Sequence, residues 1–452
     1  MNRNQAMTLG SLFDGIGGFP LAGKMAGITP VWASEIEPFP VRVTEKHLPK
    51  MRHYGDVHLL DGAKIEPVDI VTFGSPCQGL STAGKREGLL DARSALFFEA
   101  VRVIREMRCA TDEQYPRWVV WENVQGALSS AAGQDFRQVL ESLVRIKNPG
   151  ADVPMPESGR WMSAGEIVGD DYSLAWRIVD AAKGWGVAQR RRRIFLILDL
   201  TGGRAGKVLF ESEGVSGYSP PCGEAWKGTP AHPAAGVGET GQRNLTGKDT
   251  PVVYGISSNQ SNGMLSDNPH SGIYKADTSR TLDISGGNPS CNQGGMLVVE
   301  PHPAYGLDRA AYCQGENAQY KICVNEEVSP TITANGPGLV AEPATDYVVR
   351  RLTPGECCRL QGFPDGWSEN LAITNPSDEE IARWEAIFEE WRMATDGKKK
   401  PKTRRQIIKW LMNPDSDAAQ YKAYGNSVAV PGVFFVLAGI VWAERGDELE
   451  NH

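Results

Sequence analysis

The chain has 452 residues, a formal net charge of -8 and 41% hydrophobic side chains, enough for two domains with a sizeable core. That acidic balance excludes a protein coated in positive charge for indiscriminate nucleic-acid binding, while leaving room for a local basic groove. The eight cysteines include no CxxC pair, so a reduced, cytoplasmic setting is expected and no metal site. Residues 1–5 hold no apolar segment, and the longest apolar run, Val428 to Ala443, is broken by Pro431 and Gly432. It falls short of the ~20 residues of a membrane span, so neither a signal peptide nor a membrane is expected.

Thr8 to Phe13 reads as a strand, followed by a Gly-rich turn and a helix. Val31 to Ser34, Asp69 to Phe73, Trp118 to Trp121 and Ile194 to Leu198 are further strands, mostly continuous apolar runs of the kind buried in parallel sheets. Leu89 to Met107 and Asp135 to Ile146 have helical spacing, and Asn148 to Asp171, rich in Pro and Gly, reads as a loop. The expectation is an α/β, doubly wound, Rossmann-like sheet over residues 1–201. From 202 to 345, Gly, Ser, Asn, Pro and Thr dominate, which predicts a smaller domain of short strands and loops. Within it Tyr254-Gly255-Ile256 recurs as Tyr305-Gly306-Leu307, and each copy closes on Glu-Pro, at Glu300-Pro301 and Glu342-Pro343. Residues 346–452 return to the first domain with a helical, basic insertion at 375–420. Its Ser377 and Glu380 form a capping box.

Four motifs carry chemistry. Phe13-Asp14-Gly15-Ile16-Gly17-Gly18 stands where a strand meets a helix, so the backbone can approach a ligand there. Pro20 occupies the place of a third dinucleotide-loop glycine, which disfavours NAD. Glu35, at the end of the next strand, can hold both hydroxyls of a ribose, and Asp56 can accept from an adenine amino group. The second motif, Ser75-Pro76-Cys77-Gln78 with Ser81, ends a buried strand. A lone cysteine is usually an inert core residue, but this position presents it to a cleft. The third, Glu122-Asn123-Val124, is read as lying just past a strand, with Asn123 alone also explicable as a helix cap. In the fourth, Gln189 to Arg193, alternation puts Arg191 and Arg193 on one face. Carbon 5 of cytosine is too electron-poor to attack a methyl sulfonium until a thiolate adds at carbon 6. That chemistry needs a cysteine supported by positive charge, an acid at ring nitrogen 3, arginines for the carbonyl and phosphate, and a base outside the duplex.

The ordered motifs resemble those of the DNA cytosine-5 methyltransferase family. So do Arg351 to Glu356, Arg359 to Pro364, and Tyr424-Gly425-Asn426-Ser427-Val428. The resemblance implies S-adenosylmethionine as cofactor, held by Phe13 to Gly18, Glu35, Ile36, Asp56, Val57, Pro76, Leu96, Asn426, Ser427 and Val428. It implies Cys77 as nucleophile and Glu122 at ring nitrogen 3. Arg193 would sit on the base carbonyl, and Arg191 would position Cys77 or a phosphate. Gln78, Ser81, Asn123 and Gln189 fall on the substrate side. Ile36 departs from the aromatic of many members, which implies a weaker edge contact to the adenine. Double-stranded DNA is the implied partner of a monomeric, cytoplasmic enzyme, with a cognate restriction endonuclease, if one exists, acting separately. An RNA-modifying relative and a catalytically dead DNA binder share the scaffold, but the long variable segment and the full set of catalytic positions favour DNA methylation. The basic run from Lys398 to Lys409 is expected either to clamp DNA phosphates or to be a solvated turn.

Overall fold

The computed structural model describes residues 6–75, 95–181, 189–210 and 353–450, together with short strands between 252 and 350. The chain divides into two compact units: Met1–Lys227, Thr281–Gly286 and Thr353–His452 in the first, Gly228–Arg280 and Gly287–Leu352 in the second.

In the first unit the elements run β1 (Thr8–Leu12), α1 (Gly18–Met25), β2 (Thr29–Ser34), α2 (Pro38–His47), β3 (Arg52–His53), β4 (Ile70–Phe73), α3 (Ala95–Ala110), β5 (Trp118–Val124), α4 (Gln134–Val144), β6 (Ala164–Val168), β7 (Ser173–Asp180), β8 (Gln189–Arg190), β9 (Arg192–Asp199) and α5 (Ala205–Phe210). Eight strands form one sheet in the order β3-β2-β1-β4-β5-β9-β7-β6. The five from β3 to β5 are parallel, and β9 runs antiparallel between β5 and β7. The apolar runs predicted as strands are buried on both faces, as parallel strands under helices must be. Leu12, Val71, Phe73, Val119 and Trp121 are all fully buried. Burying a side chain such as Leu12, Val71 or Phe73 stabilises the fold by about 1.5–3 kcal/mol.

Three boundaries differ from the sequence reading. Residues 148–171, read as loop, contain β6, a half-exposed edge strand whose alternation is too weak to show. Glu122-Asn123-Val124 lies inside β5, because β9 continues to pair there, Val124 opposite Arg193. The last helix starts at Val430 and runs through Pro431 and Gly432, which break the apolar run in the sequence reading.

The returning segment holds α6 (Pro354–Leu360), α7 (Asp378–Asp396), α8 (Arg404–Met412), α9 (Asp417–Asn426) and α10 (Val430–Glu450). The Ser377–Glu380 capping box opens α7 as predicted. Among the described residues one helical run, Asp417–Arg445, is long and apolar enough to cross a membrane, but 61% of its apolar window is buried inside the protein. Val433, Val436, Leu437 and Ile440 are fully buried, and α10 packs on α1 and α5. Glu444 fastens it to the sheet, accepting from Trp118 Nε1 at 2.7 Å and Arg117 Nη1 at 2.6 Å.

In the second unit, β10 (Val252–Ile256), β11 (Ile273–Lys275), β12 (Ser279–Arg280), β13 (Gly295–Pro301), β14 (Tyr305–Leu307), β15 (Val324–Glu326), β16 (Leu339–Ala341) and β17 (Tyr347–Arg350) are short. The internal repeat has a structural counterpart. β10 lies between β11 and β13, and β14 lies between β15 and β16, all antiparallel. Tyr254 faces Lys275 and Tyr305 faces Glu326, at the same sequence separation in both copies.

Candidate active site

The strand order reverses direction at β1 and β4. Chain leaving β1 moves outward to β2 and β3, then returns to β4 on β1's other side, so a crevice opens beyond their carboxyl ends. The segments that emerge there are Phe13 to Gly18 from β1, and Gly74 and Ser75 from β4.

The β1 turn is tightly wound. Phe13 has φ 56°, a conformation that costs a bulky side chain free energy and concentrates at functional sites. Gly15 follows at φ 58°, and a Cβ there would have no neighbour within 4 Å. Asp14 is almost fully buried. Its Oδ1 accepts from Ser11 Oγ at 2.6 Å, and its Oδ2 has no partner among the described residues. Burial pushes its carboxyl up to about 8, against the Ser11 bond and with the Glu35 charge adding to the rise. Glu35, at the end of β2, accepts from the backbone N–H groups of Gly15, Ile36 and Glu37, each at 2.8 Å. Burial raises its carboxyl above the usual range, the three N–H groups opposing that rise and the Glu37 charge adding to it. One carboxylate is thus locked against the loop at the position expected for a ribose. Ile36 is half-buried and Val57 buried. Asp56 caps the turn Val57–Leu59, its Oδ1 accepting from His58 N and Nδ1. Leu96 is half-buried on the main core.

The last motif packs against the first. A Cβ on Gly18 would stand 2.5 Å from Val428 Cγ2 and 3.3 Å from Ser427 Oγ, so only glycine fits. Asn426 closes α9, and Trp367 Nε1 donates to the Ile16 carbonyl at 2.8 Å. Trp367 also stacks on His47 of α2 with centroids 3.9 Å apart. Sequence reasoning did not single it out. The block Arg359 to Pro364 just before it was the available signal.

On the β4–β5 side, Ser75 is pinned to β5: Asn123 Nδ2 donates to its carbonyl at 3.2 Å and Trp121 Nε1 to its Oγ at 3.2 Å. Asn123 is therefore no helix cap. Its Oδ1 accepts from Val124 N, and its amide fixes the residue two ahead of Cys77. Pro76, Cys77, Gln78 and Ser81 lie outside the described residues. Glu122 is buried, and its Oε2 lies 3.5 Å from where a Gly74 Cβ would stand, so the carboxylate covers the end of β4. Arg193 Nε sits 3.2 Å from Glu122 Oε1 in an ion pair. Arg191 and Arg193 do share an inward face, Arg191 being buried, Arg193 half-buried and Arg192 exposed. They do different things, however: Arg191 Nη2 donates to the Ser427 carbonyl, tying β9 to the last motif. Gln189 is fully buried with neither amide atom hydrogen-bonded among the described residues. These residues hold no group of three or more potential metal ligands.

A doubly wound sheet with a carboxylate-held glycine loop at its switch point defines a Rossmann-like fold with a ligand crevice at that loop. Residues 7–147 match the model of the C-5 cytosine-specific DNA methylase family. It is 25% identical over 435 residues to the type II methyltransferase M.HpaII of Haemophilus parainfluenzae, covering 96% of this chain and 88% of that one. It is 30% identical over 475 residues to a protein of Escherichia phage P1 named DNA N-6-adenine-methyltransferase. That match takes in 93% of this chain and spans 59% of the relative's length. The crystal structure of S. pombe Dnmt2 methyltransferase aligns over 96% of this chain and 97% of its own at 16% identity and a TM-score of 0.48.

Proposed function

We propose that the chain transfers a methyl group from S-adenosylmethionine to carbon 5 of a flipped-out cytosine within a specific duplex sequence, through a covalent bond from Cys77 to carbon 6. The observation that carries this reading is the Glu122–Arg193 pair, whose carboxylate covers the end of β4 just ahead of Cys77. Ring nitrogen 3 and the exocyclic amine match Glu122, which would supply the proton that stabilises the adduct. Arg193, already oriented by that carboxylate, would hold the base carbonyl. Addition of the Cys77 thiolate at carbon 6 makes carbon 5 nucleophilic, and loss of the carbon 5 proton afterwards lets the thiolate leave.

The crevice fits the cofactor. Gly15 leaves open space above the loop, and Glu35 is fixed where ribose hydroxyls would meet it. Phe13 to Gly18, Glu35, Ile36, Asp56, Val57, Leu96 and Asn426 to Val428 would hold the group, which supplies an electrophilic methyl on a sulfonium. The phage P1 relative's name raises methylation of an adenine amino group. Enzymes of that chemistry carry a Pro-Pro-aromatic sequence, whereas Ser75-Pro76-Cys77-Gln78 stands at this strand end. Ser219-Pro220-Pro221-Cys222 lacks the aromatic and lies outside the described residues. The repeated strand units support the second unit, Gly228–Arg280 and Gly287–Leu352, in place of the whole 202–345 range, as the segment that reads the target, in a monomeric cytoplasmic enzyme acting on DNA. Bisulfite sequencing and nucleoside analysis of DNA from cells expressing the chain should show 5-methylcytosine at a defined sequence. N6-methyladenine without 5-methylcytosine would reverse the assignment.

A further inference from the structure

The insertion between the last two motifs builds its own small core on α2. Ile381, Trp384 and Phe388 of α7 pack with Ile407 and Leu411 of α8 and with Val41 of α2. Arg383 pairs with Glu45 of α2 at its outer edge. This mounting brings one carboxylate of α7 to the end of β3. Glu390 Oε1 accepts from the backbone N–H of Asp56 at 2.6 Å.

The approach is close. A Cβ on Gly55 would lie 2.2 Å from Glu390 Oε1 and 2.6 Å from Oε2, so a side chain there would displace the carboxylate. Gly55 also sits at φ 67°, a conformation glycine adopts without strain and other residues rarely take. It is held from both sides. Ser34 Oγ, at the end of β2, donates to the Gly55 carbonyl at 2.6 Å, and Glu390 takes the next N–H. The turn so clamped aims the Asp56 carboxylate. Its Oδ1 is occupied by His58, while Oδ2 has no partner among the described residues.

We propose that Glu390 is a positioning residue for the cofactor's adenine: the insertion clamps the Gly55-Asp56 turn so that the Asp56 carboxylate meets the adenine 6-amino group. This rests on the cofactor reading above, in which Asp56 is the adenine contact. It gives the insertion a task in cofactor recognition and offsets the missing aromatic edge contact at Ile36. Without Glu390 the Asp56 N–H has no acceptor among the described residues, and the turn loses one of its two ties.

Calorimetric binding tests the proposal. The ligands are S-adenosylhomocysteine and its analogue with hydrogen in place of the 6-amino group. For Glu390→Ala, affinity for S-adenosylhomocysteine should fall about 3–10-fold, the worth of one loosened hydrogen bond, while affinity for the analogue stays within about twofold. Glu390→Gln keeps an oxygen for the Asp56 N–H and should bind both ligands nearly as the parent does. Unchanged binding of S-adenosylhomocysteine by Glu390→Ala, or an equal loss with both ligands, would overturn the proposal and leave the cofactor reading intact. A parent protein that binds neither ligand would overturn both.

Discussion

Gly18→Ala tests whether the last motif closes on the first. The added methyl would stand 2.5 Å from Val428 Cγ2, with Ser427 Oγ at 3.3 Å and Phe363 Cζ at 3.5 Å on its other sides. Carbon atoms rest at ~3.5–4.0 Å, so about 1 Å of overlap must be relieved with little room to move. Val428 and Ser427 are themselves buried. Overpacking of this kind costs about 1–3 kcal/mol. Val428→Ala removes two methyl groups from the same interface and should cost about 1–2 kcal/mol by itself. Together the two changes should cost at least 1 kcal/mol less than their sum, since the second makes the space the first needs. Denaturant unfolding of the four proteins measures the coupling. S-adenosylhomocysteine titration should show weaker affinity in Gly18→Ala and partial recovery in the double variant. Costs that add to within about 0.5 kcal/mol, with unaltered ligand binding, would refute the packing of the two motifs on each other.

Asp14 gives a prediction with a defined sign. Its carboxyl keeps its proton to about 8 when folded, against 3.8 for the ordinary group. Between those values the folded state binds more protons than the unfolded one, so Asp14 makes stability fall as pH rises through the window. Ser11 and Glu35 face it and remain in Asp14→Asn, which should be more stable than the parent at pH 8 and nearly equal at pH 4. Parallel stability curves for the two proteins would count against the burial of the Asp14 carboxyl. For the basic run, Lys399 pairs with Asp396, Arg404 with Asp378 and Glu385, and Lys402 lies over the Phe388 ring, while Lys398, Lys400, Arg405 and Lys409 are exposed without an ion pair among the described residues. If this run clamps DNA, changing Lys398, Lys399, Lys400 and Lys402 to Gln should weaken target and non-target duplex alike and flatten the salt dependence by up to about one unit for each phosphate no longer neutralised. An unchanged slope and affinity would leave a solvated turn. The insertion's mount on α2 and the end of β3, across the sheet from Glu122 and Arg193, makes this a demanding test.

The parallel strands were legible because each is a continuous apolar run between turn residues. The site loops followed, since strand ends in such a sheet have a fixed use. What the sequence hid depends on distance along the chain. Trp367 reaches Ile16 and Glu390 reaches Asp56 across more than three hundred residues, and no local period records such pairs. Asn123 was ambiguous between cap and site residue because the acceptor of its amide, Ser75, lies just past the end of another strand. Arg191 and Arg193 were correctly placed on one face, yet alternation could not show that one would face Glu122 and the other Ser427.

The central claim is covalent catalysis by Cys77, and duplex carrying 5-fluorocytosine at the methylated position tests it most directly. Fluorine cannot leave carbon 5 as a cation, so the adduct should persist as a denaturant-resistant protein–DNA complex that forms only with S-adenosylmethionine. Cys77→Ala should form no such complex and make no 5-methylcytosine, whereas Cys222→Ala should do both. Parental levels of 5-methylcytosine from Cys77→Ala would contradict the account.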